Sequence, residues 1–104
     1  MGEQTLIQRG ATLVRRLVLE PGEATAWHVD PYQRVSVVVR GKALAIEYRD
    51  GVGTQRVEVA AGQADWDAPT DRVHRAVNVG GETYEEVTVF FLDRADAIPQ
   101  PVAE

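Results

Sequence analysis

Residues 21–41 read PGEATAWHVDPYQRVSVVVRG, and the fold turns on this stretch. Turn residues bracket it at Pro21-Gly22 and Gly41-Lys42, and Asp30-Pro31 breaks it in the middle. Between the breaks the chain is rich in β-branched residues and alternates with period two, as strands do and helices do not. Residues of equal parity share one face of a strand. His28, Asp30, Arg34, Ser36 and Val38 therefore fall on one side, and Val35, Val37 and Val39 on the other.

The same texture runs outward in both directions. Strands are expected near Thr5–Gln8, Ala11–Glu20, Thr25–Val29, Arg34–Arg40, Ala43–Arg49, Thr54–Val59, Gln63–Asp67, Val73–Val79 and Thr83–Leu92. Asp50-Gly51 and Gly80-Gly81 read as hairpin turns. No stretch sustains helix-period hydrophobicity for three turns, so the chain is all-β, a sandwich or a barrel. Its 104 residues suffice for one domain. The expectation is a single barrel over residues 1–104, with a core at about 5–92 and an irregular tail at 93–104.

Composition narrows the function. The formal net charge is −5 and no Lys/Arg cluster interleaves with aromatics, so nucleic acid is not an expected partner. The absence of cysteine excludes disulfides and thiolate metal sites. No apolar run approaches a membrane span, and Met1–Leu6 lacks the basic-then-apolar pattern of a signal peptide; a cytoplasmic protein is expected. No nucleophile triad and no glycine-rich strand-to-helix loop point to a hydrolase or a nucleotide site.

The decisive stretch resembles the first motif of the cupins, G-x5-H-x-H-x3-E-x6-G, with Gly22, His28 and Gly41 in register. Asp30 stands at the second histidine and Arg34 at the glutamate. Residues 62–78, GQADWDAPTDRVHRAVN, resemble the second motif through Gly62, Pro69, His74 and Asn78, with one extra residue before the proline and Asp71 in place of the turn glycine. Both histidines of the chain fall on motif positions. The framing PGxxTxWHxxxYxxV is similar to small stand-alone cupins, including the group linked to β-alanine degradation. What the resemblance implies is a double-stranded β-helix, or jelly-roll, barrel whose interior receives His28, Asp30, Arg34 and His74. The glycines and Asn78 have a plain structural account at strand ends.

A family site of three histidines and a glutamate around a divalent ion (Fe, Mn, Zn or Ni) would here shrink to His28, Asp30 and His74. Two histidines and a carboxylate form a facial triad with open positions. Arg34 opposes it: a guanidinium about 5 Å from a divalent ion, at an effective dielectric near 20, is repelled by roughly 6–7 kcal/mol. Either Arg34 stands aside as a clamp for an anion, or it replaces the ion and pairs with Asp30, or with Asp65 or Asp67. The site residues on this reading are His28 and His74 for proton transfer or metal. Arg34, Asp30, Trp27, Trp66 and Tyr48 would bind ligand, although core packing is the plain account of the aromatics.

Three functions stay open. The first is a pocket for a small anionic or polar metabolite with a degenerate metal site. The second is a metal-dependent enzyme, an oxygenase, isomerase or decarboxylase of a small carboxylate. The third is an interaction module without chemistry. Val35, Val37 and Val39 should lie on the outer wall, where either Thr5–Leu19 or a second subunit must cover them; a homodimer is expected.

Overall fold

The computed structural model describes residues 1–94. Nine strands follow in order: β1 (Gly2–Arg9), β2 (Thr12–Leu19), β3 (His28–Asp30), β4 (Gln33–Arg40), β5 (Ala43–Tyr48), β6 (Gln55–Glu58), β7 (Ala64–Asp67), β8 (Thr70–Asn78) and β9 (Tyr84–Phe91). A single 3-10 turn, Leu92–Arg94, is the only helical element among the described residues, and no helix there could cross a membrane. The expected tail lies outside the described residues from position 95 onward.

The strands form two antiparallel sheets, β1-β2-β9-β4-β7 and β3-β8-β5-β6, facing each other across a cavity. This is the jelly-roll barrel, and each expected strand has its counterpart. Two details differ. The strand expected over Thr25–Val29 pairs regularly only over His28–Asp30, with Ala24 bridging Val77 alone. Gly80-Gly81 is not a hairpin: β8 belongs to one sheet and β9 to the other, so the chain crosses the barrel there. Asp50-Gly51 does close a hairpin, since β5 and β6 pair directly.

The crossing after β8 is held by Asn78. Its amide donates to the carbonyls of Leu19 and Glu82, and its Oδ1 accepts from the Gly80 N–H. The side chain is fully buried and fully used, which assigns it a structural role. Gly41 is equally fixed. Its φ is +137°, and a Cβ there would stand 2.7 Å from Cδ1 of Tyr84.

Leu17, Leu19, Val38, Leu44 and Tyr84 pack into a small apolar core, flanked by Val59 and Ala76. Several of these also floor the cavity. Moving along β4 from Val38 to Ser36 to Arg34, or along β8 from Ala76 to His74, the interior turns polar. The five-stranded sheet inverts the usual pattern. Its inward series on β4 and β9 is Arg34, Ser36, Glu86 and Thr88, while its outward series is Val35, Val37, Val87 and Val89. A sheet built this way opens a polar cavity inside and an apolar wall outside.

Candidate functional site

His28 and His74 reach the cavity from adjacent strands, as register partners in the β3–β8 ladder. Their ring centroids lie 4.5 Å apart, tilted by 57°. Asp30 pairs with Thr70 across an irregularity that shifts the register between β3 and β8. Such a shift re-aims a side chain. The Asp30 carboxylate ends up against both imidazoles: Oδ2 is 2.8 Å from Nε2 of His74 and 3.3 Å from Nε2 of His28.

The other nitrogen of each ring is committed. Nδ1 of His28 donates to the carbonyl of Ala26 at 2.7 Å, and Nδ1 of His74 donates to the carbonyl of Arg72 at 2.8 Å. A carbonyl only accepts, so both Nδ1 atoms carry their protons and each neutral ring presents a bare Nε2. Two nitrogen lone pairs then face one carboxylate oxygen. Such a convergence is repulsive unless a cation lies among the three atoms, either a proton or a metal ion.

Arg34 joins the same oxygen. Its guanidinium sits 3.7 Å from Asp30 Oδ2, its side chain is 15% exposed, and it also donates to the carbonyl of Ala68. The residue is neither on the surface nor unpaired. In the β4–β7 ladder it stands opposite Asp67. Burial opposes ionisation of Asp30, but Arg34 and the histidines in their protonated form, with His28 then donating from Nε2, outweigh it and bring the carboxyl down to about 2. The same hydrogen bond raises His28, against the effect of burial. Burial pushes Asp67 upward, reinforced by Asp65, Glu86 and Asp30 and opposed by Arg34.

The cavity has a volume of about 500 Å³. Besides the cluster it is lined by Tyr48, whose ring lies 6.2 Å from that of His74, and by Thr25, Thr70, Gln55 and Gln63. On the opposite wall Glu86 accepts from Tyr84 Oη at 2.7 Å and from Thr88, and its carboxylate meets Arg15 at 3.4 Å. Desolvation holds the Tyr84 phenol far above its ordinary range, with the negative charge of Glu86 adding to the effect. This Glu86–Arg15–Tyr84 network carries no motif. Its signal in the sequence was the parity of the last strand, which sets Tyr84, Glu86, Thr88 and Phe90 on one face.

Of the expected aromatic contacts, Tyr48 lines the cavity and Trp27 does not. The Trp27 ring lies on the outside under two guanidinium groups, Arg75 at 4.6 Å and Arg49 at 5.5 Å. Trp66 borders the cavity, but its ring stacks on Phe91 at 5.4 Å on the outer face and donates to Gln33 Oε1. Aromatic side chains next to a motif satisfy their own packing first.

The donor set suits a divalent ion. Ligands about 2.0–2.1 Å from one ion lie about 3.0 Å apart along an octahedral edge and about 3.4 Å apart along a tetrahedral one. The separations from Asp30 Oδ2, 2.8 and 3.3 Å, fall near these values; the three ligand atoms together lie within 4.8 Å of one another, and sharing one ion requires the two histidine nitrogens to stand no more than about 4.2 Å apart. Each ligand histidine also has its second nitrogen bonded to a carbonyl, as metal-binding histidines do.

No family model matches this chain, and no curated protein does. Solved structures do. A cupin domain from Bordetella pertussis superposes with a TM-score of 0.74 at 19% identity, over 85% of this chain and 88% of that one. An uncharacterized conserved protein with a double-stranded β-helix domain, from Klebsiella pneumoniae, gives 0.68 at 26% identity over 89% and 77%. A Cupin 2 conserved barrel domain protein from Salinispora arenicola gives 0.63 at 18% identity over 88% and 79%. The fold is that of a small cupin-like domain.

Proposed function

We propose that the protein is a metal-dependent cupin that binds a small polar substrate in its barrel, with His28, His74 and Asp30 as the three metal ligands. The observation that carries this reading is the pair of committed Nδ1 atoms, which leave two bare Nε2 atoms aimed at one carboxylate oxygen. The charge of the cavity supports it. Asp30, Asp65, Asp67 and Glu86 outnumber Arg15 and Arg34, and a cation relieves that excess. A bound divalent ion would supply Lewis acidity and open positions for substrate oxygen. The chain's own residues do the rest: Asp30 holds Arg34 near the ligands, Arg34 offers its free donors to an anionic group, and the Tyr84–Glu86 pair lines the far wall.

A second reading, a metal-free pocket with the cation supplied by protons on the histidines, is favoured by Arg34 itself, whose charge lies on the same oxygen. Metal analysis of protein purified without chelator or histidine tag separates the two. One equivalent of a transition metal, lost in Asp30→Asn, supports the first. Metal-free wild type that also takes up none from solution supports the second.

The assembly belongs to the same reading. We infer a homodimer through the outer wall of the five-stranded sheet. β1 and β2 extend that sheet beyond β9 instead of folding over its valines, so Thr5–Leu19 adds Ile7, Val14 and Val18 to the apolar face. Val37, Val39 and Ile7 are 38%, 45% and 55% exposed. A second copy presents the same apolar wall about a two-fold axis, which is the commonest way to bury such a face.

A further inference from the structure

A second, smaller cavity of about 270 Å³ opens from the side of the barrel, between β2 and the β3–β4 connection. Its apolar walls are Leu13, Val29, Pro31, Tyr32 and Phe90, Glu3 lies at its edge paired with Arg15, and it adjoins the main cavity at Arg15, Thr25, His28 and Asp30, which line both. The histidine–aspartate cluster therefore stands at a junction, with a polar chamber on one side and an apolar cleft on the other. Arg15 marks the threshold. One guanidinium nitrogen pairs with Glu3 at 3.0 Å and another with Glu86 at 3.4 Å, and the group lies 5.0 Å from the centre of the Phe90 ring. Its Nε is buried with no hydrogen-bond partner among the described residues. A donor left in that state is costly, and a small shift of Arg15 that let a ligand oxygen reach it would relieve the cost.

We propose that this cleft is a substrate subsite for an apolar group, aryl or branched alkyl, and that the substrate's carboxylate lies at the junction beside Arg15 and the cluster. The inference deepens the metal-dependent reading by naming the substrate class, and rests on it for the chemistry alone. A cleft of this volume has room for a ring, since a cavity of about 150 Å³ takes up benzene. Burying a ring there removes apolar surface from water on both ligand and protein. The carboxylate needs a cationic anchor at the threshold, and Arg15 is the cation that faces both cavities. A short carboxylate without an apolar arm would gain only the anchor.

Acetate and phenylacetate titrated into the protein, followed by backbone amide NMR, test this. Both titrations are run with the metal-stripped and the zinc-loaded protein. Phenylacetate is expected to bind about tenfold or more tightly than acetate and to shift the amides of Leu13, Val29 and Tyr32. Ala26→Phe, which places a ring at the exposed cleft wall without touching the core, should erase that preference and leave acetate binding intact. Equal affinities for the two acids, or shifts confined to the barrel interior, would overturn the subsite even if zinc binds. If Ala26→Phe does not fold, Val29→Trp makes the same test from the neighbouring wall. A phenylacetate preference in a protein that takes up no zinc would keep the subsite and sink the metal-dependent reading instead.

Discussion

His28 and His74 are paired directly across β3 and β8, and each holds its Nδ1 proton on the backbone carbonyl two residues back along the chain, Ala26 for one and Arg72 for the other. The two rings are thus set by the same local device. Each points its bare nitrogen at Asp30, and rotating either ring would cost a hydrogen bond of about 1 kcal/mol as well as the alignment.

Arg34 is the side chain that most directly opposes a metal. Arg34→Glu removes a positive charge 3.7 Å from Asp30 and adds a carboxylate where the family motif carries one. Affinity for a divalent ion should rise by about tenfold or more, and binding of small anions should weaken in parallel. Calorimetric titration with manganese and with acetate measures both. No change in either would remove Arg34 from the site.

The pH dependence of the metal-free protein follows from two shifts of opposite sign. Asp30 titrates at about 2 in place of 3.8, so its stabilisation is present above pH 3.8 and is lost as pH falls toward 2. His28 is raised above 6.5, so its stabilisation is complete below pH 6.5 and is lost as pH rises through the raised value. Thermal unfolding should therefore show highest stability between about pH 4 and 6.5. Asp30→Asn, which removes the shared partner, should flatten both flanks. A profile unchanged by that substitution would mean that the cluster contributes nothing to folding without metal.

Gly41→Ala should destabilise the barrel by about 2 kcal/mol or more, because an alanine there meets both an unfavourable φ and the buried ring of Tyr84. The midpoint of urea unfolding reads this. Measured against Tyr84→Leu alone, Gly41→Ala should cost less than it does in the wild type if the ring contact matters, and as much if backbone conformation is the whole cause.

The proposed homodimer is tested at the apolar wall. Val37→Lys with Val39→Lys places charge at the centre of the outer face without touching the cavity. Light scattering at micromolar concentration should give a two-chain mass for the wild type and one chain for the variant. A wild type of one-chain mass, independent of dilution, would contradict the interface.

Much of this arrangement was legible in the sequence, and the reason is periodicity. On β4 the alternation sets Arg34 and Ser36 against Val35 and Val37, and the structure keeps that assignment residue for residue. Both histidines and Asp30 lie where the two motifs put them. Gly80-Gly81 carries a turn signal that shows where the chain reverses, not which sheet receives it; the bonds of Asn78 to Leu19, Glu82 and Gly80, which hold the crossing, are tertiary. Trp27 differs from its expected place for a related cause. Its place beside His28 in sequence puts it on the opposite side of the chain, where two arginines from β8 and the β5 end take its faces. Glu86 and Arg15 were hidden by the inverted pattern of the five-stranded sheet, in which charged residues of the inner face look like ordinary solvent-facing positions.

A shared cation joining His28, His74 and Asp30 leaves a signature on the two imidazole rings. Long-range proton–nitrogen NMR of the rings reads it, recorded on metal-stripped protein before and after one equivalent of zinc. Both Nδ1 atoms should stay protonated throughout, and both Nε2 resonances should move together to metal-bound values, saturating at one ion per chain. Nε2 resonances that ignore zinc, or a ring that carries its proton on Nε2 with Nδ1 bare, would contradict it.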